Sequence, residues 1–266
     1  MECVRRMDPL AAGLGVAGLA TLVVTAVLAA QPAMSEPWSA PAPTPAAFAA
    51  GDRLASVTQG PVSSVADVET PVPVAGSDPQ PSAGWIDETA AATKIPTSAV
   101  RAYGAAALRL DEEDPACRLG WTTIAAIGVV ESGHGTHGGA TLGDDGHPSV
   151  PILGPALDGN GVAAIPATAE STAMHGDARW DHALGPMQFL PASWARWGAD
   201  GDGDGVLDPH DLDDAALAAG RYLCAGARDL GTAEGWSAAV RSYNHSDAYV
   251  QDVLGWAQTY ATVTRS

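Results

Sequence analysis

Apolar residues between 83 and 266 recur mostly three and four positions apart, which is the spacing of a helix with one buried face. Alternation of apolar and polar residues, which is typical of strands, is much rarer there. The pattern predicts a helix from Thr97 or Ser98 through Leu110, a buried one from Trp121 to Ser132, a short one from Pro191 to near Gly198, one from Asp211 or Asp213 through Ala225, one from Trp236 to Tyr243, and one after Ser246. We therefore expect a mainly α-helical domain.

The last of these helices has the clearest pattern. Ser246 is a good N-cap, and Asp247 beside it favours the positive end of a helix. The apolar residues Val250, Val253, Leu254, Ala257 and Tyr260 fall on one face. That face should lie in the core of the domain.

A long segment inside the domain, residues 133–183, is rich in Gly, Pro and Asp and has no clear period. Segments of this length inside a compact domain are usually functional or disordered. We expect one long loop that interrupts the helices.

The N-terminus contains an uncharged apolar run of 21 residues from Leu10 to Ala30, about the ~20 residues that cross a bilayer as a helix. Arg5 and Arg6 precede it, so the positive-inside rule places the N-terminus in the cytoplasm and everything after the run outside. The alternative for residues 1–30 is a cleaved signal peptide. Both interpretations predict an extracytoplasmic protein that meets the membrane only through this segment.

Residues 31–82 contain ten of the 20 prolines, many Ala and Ser, and few charges. Such a composition cannot bury enough apolar surface to offset the loss of chain entropy, so we expect a disordered linker. Residues 83–266 then form one domain of ordinary size. The whole chain has 13 basic and 31 acidic residues, a net charge of −18, which argues against a nucleic-acid partner or a charge-driven contact with anionic membranes.

Two cysteines, Cys117 and Cys224, lie in the part that we expect to be exported. An even pair in an oxidising compartment predicts a disulfide, with two unpaired buried thiols as the alternative. Neither cysteine has a companion at metal-ligand spacing. The same holds for four histidines, which we expect to be ordinary loop residues: His134, His147, His175 and His182.

A run of alternating aspartates and glycines begins at Asp200 and follows the spacing of an EF-hand calcium loop. Gly205 falls at position 6, where the loop turns sharply. The predicted ligands are Asp200, Asp202, Asp204, the carbonyl of Val206, Asp208 and, at position 12, Asp211 in place of the usual Glu. We expect a structural Ca²⁺ site; the alternative is a solvated acidic loop.

The most distinctive ionisable residue is Glu131, at the end of the apolar segment Ile-Gly-Val-Val-Glu. Apolar neighbours and the negative end of a helix both disfavour a carboxylate, so its pKa should be raised. A carboxyl group that stays protonated near neutral pH is what a general acid requires. The alternative is an ordinary glutamate at a helix end that reaches solvent.

Four segments in this order resemble a known family: Glu-Ser-Gly-His-Gly at 131–135, Gly-Pro-Met-Gln-Phe-Leu-Pro at 185–191, the aspartate loop, and Tyr-Asn-His-Ser-Asp-Ala-Tyr-Val at 243–250. Together they resemble the signatures of membrane-bound lytic murein transglycosylase B and its actinobacterial relatives. The resemblance covers roughly residues 95–260. It implies a lysozyme-like, mainly α fold with a substrate groove.

The same resemblance implies roles for individual residues. Glu131 would be the single catalytic acid and base. Gln188 would line the cleavage site and bond the sugar, Tyr243 and Asn244 would hold substrate and orient the acid, and Ser132 and Met187 would also contact the substrate.

Most glycosidases use two carboxylates, and no motif ties a second one to Glu131. We therefore expect a lytic transglycosylase that cleaves the β-1,4 bond between N-acetylmuramic acid and N-acetylglucosamine in peptidoglycan and forms a 1,6-anhydro sugar, without an organic cofactor. One alternative is a muramidase that admits water. Another is an inactive module that only binds glycan strands.

Overall fold

The computed structural model describes residues 79–265, and the predicted membrane segment, the cleavage alternative and nearly all of the predicted linker lie outside them. The described chain is mainly helical. Its helices are α1 (Ala83–Thr93), α2 (Thr97–Glu113), α3 (Trp121–Ser132), α4 (Ala169–His175), α5 (Pro191–Trp197), α6 (Leu212–Cys224), α7 (Ala233–Tyr243) and α8 (Asp247–Val263). Across residues 79–265, every helix is too short or too polar to span a bilayer.

Helix α3 lies at the centre of the domain. Ile124, Ala125, Ala126 and Ile127 are fully buried, because α3 has apolar or small residues on all sides and packs on α2 and α8. Gly128 is required at one of these contacts, since a Cβ there would lie 2.1 Å from the hydroxyl oxygen of Tyr103. Core residues therefore surround nearly every side of α3, whose last turn contains Glu131.

Four predicted helices are confirmed in position and in the residues that start them. Helix α3 has the predicted bounds, and α5 begins at Pro191. The side chain of Asp211 caps α6, and that of Ser246 caps α8 by accepting the Tyr249 N–H. All five apolar residues predicted for the buried face of α8 are buried.

Other predictions about the helices need correction. Helix α2 is preceded by Pro96, which makes no side-chain cap, so neither Thr97 nor Ser98 caps it, and it continues to Glu113. Helix α7 begins at Ala233, earlier than predicted, behind a Thr232 cap. Helices α1 and α4 were not predicted, because α1 shows little amphipathic pattern and α4 has only seven residues.

The long segment 133–183 is ordered by backbone pairing in addition to α4. Isolated antiparallel bridges join Leu142 to Pro148, Leu153 to Leu184, Asp158 to Ala164 and Pro166 to Trp180. The segment thus folds against itself and against residue 184. This short-range pairing leaves no apolar period, which is why the sequence pattern did not show it.

The predicted disulfide between Cys117 and Cys224 is present, with the two Cα atoms 5.4 Å apart. It joins the connection before α3 to the last residue of α6 across 107 positions. By the chain-entropy relation, closing such a loop stabilises the folded state by about 4–5 kcal/mol.

Candidate functional site

Glu131 lies in the last turn of α3, where Gly133 ends the helix in the left-handed conformation. Surrounding protein removes most of the water from its carboxyl group, and this burial raises its pKa to about 7. A single hydrogen bond from Tyr249 acts in the opposite direction. The raised pKa expected from the sequence is thus confirmed, and burial is its cause.

Tyr249 holds Glu131 from the first turn of α8. Its hydroxyl group donates to Oε1 of Glu131 at 2.6 Å. Burial and the nearby glutamate raise the pKa of Tyr249 far above its usual value, so the phenol stays neutral and remains a donor. The bond occupies one carboxyl oxygen and leaves Oε2 to carry a proton.

The hydroxyl group that bonds Glu131 in this structure thus belongs to Tyr249, and the roles predicted for Tyr243 and Asn244 stay predictions. Tyr249 lies in the 243–250 motif but received no role. A signal was present: the Ser246 cap fixes where α8 begins, and so places Tyr249 in the turn nearest the preceding loop. Which tyrosine reaches Glu131 depends on how α8 packs on α3.

A tight turn joins Leu184 to Phe189 and presents the Gly-Pro-Met-Gln sequence beside Glu131's helix. The hydroxyl of Ser132 donates to the Pro186 carbonyl at 2.6 Å and accepts the Gly135 N–H at 2.8 Å. Gly185 is needed in this turn, because a Cβ there would lie 1.7 Å from the carbonyl oxygen of Pro209. The turn is therefore fixed between the end of α3 and the acidic loop.

Met187 and Ser132 are both buried, so neither side chain faces solvent in this structure. Their observed contacts are with protein, and direct contact with substrate stays a prediction. The hydroxyl of Tyr243 donates to the Met187 carbonyl at 2.7 Å. The charge of Glu131 also raises the pKa of Tyr243, after burial, which shows that this phenol lies near the carboxyl group.

Gln188 follows in the turn. Its backbone φ is 49°, a conformation that residues other than Gly rarely adopt. Its Nε2 donates to the Gly185 carbonyl at 2.9 Å. Asn244 is exposed just after α7, and its Oδ1 accepts the Ser246 N–H at 3.1 Å. The Gln188 side chain thus folds back on its own turn, whereas Asn244 lies at the α7–α8 connection.

Among residues 79–265, no second acidic side chain contacts Glu131 or contributes to the shift of its pKa. The site thus has one carboxyl group, one phenol donor and a backbone turn that carries an amide side chain. That set can donate a proton and accept another at the same carboxyl group.

The four histidines are more structured than loop residues. His134 is buried between the hydroxyl groups of Tyr103 and Tyr260, each 3.0 Å from a ring nitrogen, and burial lowers its pKa to about 4. His175 lies 3.3 Å from Asp181, and His182 contacts Asp177 and the Gly154 carbonyl. His147 lies within 3.5 Å of Asp208. His134 therefore lies in the turn after α3, as a loop residue would, but its side chain is buried, which the sequence did not predict.

Three carboxylates come together at the acidic loop. Oxygen atoms of Asp200, Asp202 and Asp214 lie within 4.8 Å of one another. Asp214 is buried and accepts the N–H groups of Gly201 at 2.6 Å and Asp208 at 2.8 Å. Burial, and then the charges of Asp202 and Asp200, raise its pKa to about 6.

Asp214 was not among the predicted ligands, but in this structure its carboxyl group meets those of Asp200 and Asp202. The side chain of Asp211 accepts the Asp213 N–H at 2.7 Å as the N-cap of α6. Asp214 lies nearly one turn further along α6, on the side that faces the loop. Ligation by Asp211 at position 12 stays a prediction.

The remaining predicted ligands lie in the same loop but outside the cluster of three. Asp204 accepts the Val206 N–H, and Asp208 accepts the His210 N–H. Val206 is exposed. These residues surround the cluster without joining it in this structure.

Comparison with known proteins gives one finding. Residues 167–241 match the family described as "Transglycosylase SLT domain". The match supports a lytic transglycosylase family, and with it an enzyme that acts on peptidoglycan. No curated protein and no solved structure matches the chain significantly.

The transglycosylase match spans α4 to α7, including the Gly-Pro-Met-Gln turn and the whole acidic loop. Glu131 and Tyr249 lie outside it, on either side. Their assignment therefore rests on the geometry described above, and the match does not distinguish among subfamilies.

Proposed function

We propose that this protein is a lytic transglycosylase that cleaves the bond between N-acetylmuramic acid and N-acetylglucosamine and closes a 1,6-anhydro ring. The single observation that supports this most strongly is a lone, half-buried carboxyl group, that of Glu131, whose pKa is about 7 and one oxygen of which accepts a hydrogen bond from Tyr249. A group with this pKa can both give and take a proton near neutral pH.

In the first step the protonated Oε2 of Glu131 donates to the glycosidic oxygen, and the bond from that oxygen to C1 breaks. The acetamido oxygen of the same muramyl sugar stabilises the positive charge that develops at C1. In the second step the Glu131 carboxylate removes the proton from the C6 hydroxyl, whose oxygen attacks C1. The proton lost in the first step is regained in the second, so no water is consumed.

The other residues serve this scheme by position. Tyr249 keeps Oε1 occupied, so that the proton sits on the oxygen that faces the substrate. Tyr243 fixes the backbone at Met187, and Ser132 fixes it at Pro186, which together place Gln188 to bond the sugar or its N-acetyl group. Asn244 would contact the substrate from the exposed start of α8.

The decisive experiment is product analysis on purified peptidoglycan. The unmodified protein should release anhydro-muropeptides, and a Glu131→Gln variant should release none. A muramidase would instead give reducing ends that are heavier by one water. Retention on the glycan without any product would identify a binding module. Undiminished anhydro product from Glu131→Gln would refute the proposal.

We also propose that the acidic loop binds a structural Ca²⁺. The donors fit, because Ca²⁺ prefers several carboxylate and carbonyl oxygens and the loop supplies three converging carboxylates. Within residues 79–265, none of these three pairs with a basic side chain. Asp200, Asp202 and Asp214 would hold the ion, with Asp204, Asp208 and the Val206 carbonyl nearby. The ion would fix the loop and, through Pro209 and Gly185, support the turn.

The N-terminal segments complete the proposal. Residues 1–30 would export the chain as an anchor or a cleaved signal, residues 31–82 would act as a linker, and the enzyme would work outside the membrane. Cell fractionation with N-terminal sequencing of the mature chain tests this. A protein found in the cytoplasm with its N-terminus intact would contradict it.

A further inference from the structure

A cavity lies between the end of α5 and the turn that follows α6, and Glu131 is not among the residues that line it. It has a volume of about 310 Å³. Its lining residues are Arg196, Trp197, Tyr222, Ala225, Gly226 and Arg228. The proposed cleavage reaction uses none of them.

The cavity is built on a rigid base. The disulfide holds Cys224, directly before the cavity residue Ala225. Gly226 and Ala227 then take positive φ values of 78° and 55°, which turn the chain back across the end of α6. Nη1 of Arg228 donates to the Tyr222 and Leu223 carbonyls at 3.4 and 3.3 Å. The guanidinium group is thus held in place with other N–H groups available.

The two arginines of the cavity have no carboxylate partner among residues 79–265. Arg196 stacks on Trp197, with 4.9 Å from its guanidinium carbon to the ring centre. Asp229, next to Arg228, is already engaged by Arg118 at 2.6 Å. The end of α6 contributes only about half a negative charge. The cavity is therefore a positive site in a chain whose net charge is −18.

Aromatic contacts connect this cavity to the proposed cleavage site. The ring centres of Trp197 and Tyr222 lie 5.8 Å apart, and those of Tyr222 and Tyr243 lie 5.4 Å apart. Tyr222 also donates to the Ser242 carbonyl at 2.5 Å. Tyr243 is the residue that holds the Met187 carbonyl. A ligand in the cavity would thus lie two ring contacts from the turn that carries Gln188.

We propose that this cavity binds a carboxylate group of the short peptide that is attached to the muramyl sugar of peptidoglycan. This rests on the proposed function, because the glycan in the cleft brings the peptide to the cavity. Two guanidinium groups suit a carboxylate, and the Trp197 and Tyr222 rings suit the aliphatic part of a peptide. A volume of about 310 Å³ is small for a ligand site and fits a residue or two of peptide.

The test measures peptide binding and does not depend on cleavage. An N-acetylated Ala-γ-Glu-Lys-Ala tetrapeptide with free carboxylates, and the same peptide with its carboxylates amidated, are titrated into the full chain. Binding is followed by NMR at the indole N–H of Trp197, assigned with a Trp197→Phe variant. The Arg196→Gln/Arg228→Gln double variant should bind the acidic peptide at least tenfold more weakly, since each charge-assisted bond contributes about that factor.

An Arg109→Gln/Arg265→Gln variant removes the same number of positive charges at residues that do not line the cavity, and should bind like the unmodified protein. Comparison of the acidic and amidated peptides on the unmodified chain tests whether the cavity binds a carboxylate group. This comparison remains valid even if the double variant unfolds. Equal binding of the two peptides, equal binding by the two double variants, or no binding of the acidic peptide would overturn the proposal. If the protein released no cleavage product but still bound the acidic peptide in this way, the proposed reaction would be refuted and the proposed role of the cavity would stand.

Discussion

Glu131, which is half-buried, and Asp214, which is buried, are both acids with raised pKa values, but their surroundings differ. Glu131 has two phenols near it, Tyr249 and Tyr243, and its pKa of about 7 comes from the protein that covers it. Asp214 lies against Asp200 and Asp202, and their charges add to burial in raising its pKa to about 6. The same direction of shift therefore arises at a lone carboxyl group, for which we propose proton transfer, and in a cluster of three, for which we propose a cation site. What separates the two is the number of carboxylates nearby.

The largest expected effect is on catalysis. Glu131→Gln should lower the rate of anhydro-sugar release by at least ~1,000-fold, near the upper range for loss of a general acid. Asp214→Asn, measured at a temperature where its fold has been verified, should lower it far less. Turnover of purified peptidoglycan checks both. Similar losses in the two variants would remove the functional distinction between the two acids.

The second prediction concerns stability against pH. Because the folded-state pKa of Glu131 is raised from 4.5 to about 7, the folded protein holds this proton more tightly than the unfolded chain. Its contribution to stability is present below pH 4.5 and is lost as the pH rises to about 7, by on the order of 2–3 kcal/mol. The unmodified protein should therefore lose stability relative to Glu131→Gln over this window, as denaturant unfolding at several pH values would show. If the difference in unfolding free energy between the two proteins did not change with pH, the pKa of Glu131 would not be raised by burial.

The third prediction separates the two aspartates at the loop. Chelation should lower the melting temperature of the unmodified protein, because an ion held 100-fold above its Kd stabilises the folded state by about 2.7 kcal/mol. Asp214→Asn should abolish most of this calcium-dependent shift. Asp211→Asn should keep it, since Asn caps a helix as well as Asp does. If Asp211→Asn were the variant that lost the shift, the 12-residue count would be right.

The smallest expected effect belongs to Tyr249. Its hydroxyl bond lowers the pKa of Glu131, so Tyr249→Phe should move the alkaline fall of kcat/KM to higher pH and reduce kcat by about tenfold. Tyr243→Phe removes a similar hydroxyl that does not bond Glu131, and should leave the alkaline limb in place. The pH–rate profiles of both variants provide the check. If the alkaline limb moved only in the Tyr243→Phe variant, the group that orients Glu131 would be Tyr243, as the sequence motif predicted.

Most helix positions and caps in this domain depend on residues close together in the chain, so they could be predicted from the sequence. The apolar run of α3, Pro191 at the start of α5 and the caps Asp211 and Ser246 follow from residues within a turn or two of each other. The raised pKa of Glu131 was also predictable, because its apolar neighbours adjoin it in the chain. The disulfide followed from the even pair of cysteines after the predicted membrane segment.

Which side chains from distant parts of the chain meet depends on the packing of the helices. Tyr249 reaches Glu131 across 118 positions because α8 packs on α3, and no spacing in the sequence distinguishes it from Tyr243. Asp214 meets Asp200 and Asp202 because its helix, α6, begins at the Asp211 cap and turns this carboxyl group toward the loop. The arginine cavity likewise forms where the ends of α5 and α6 come together. Local order depends on backbone bonds and caps between near neighbours, whereas these contacts depend on how whole helices pack.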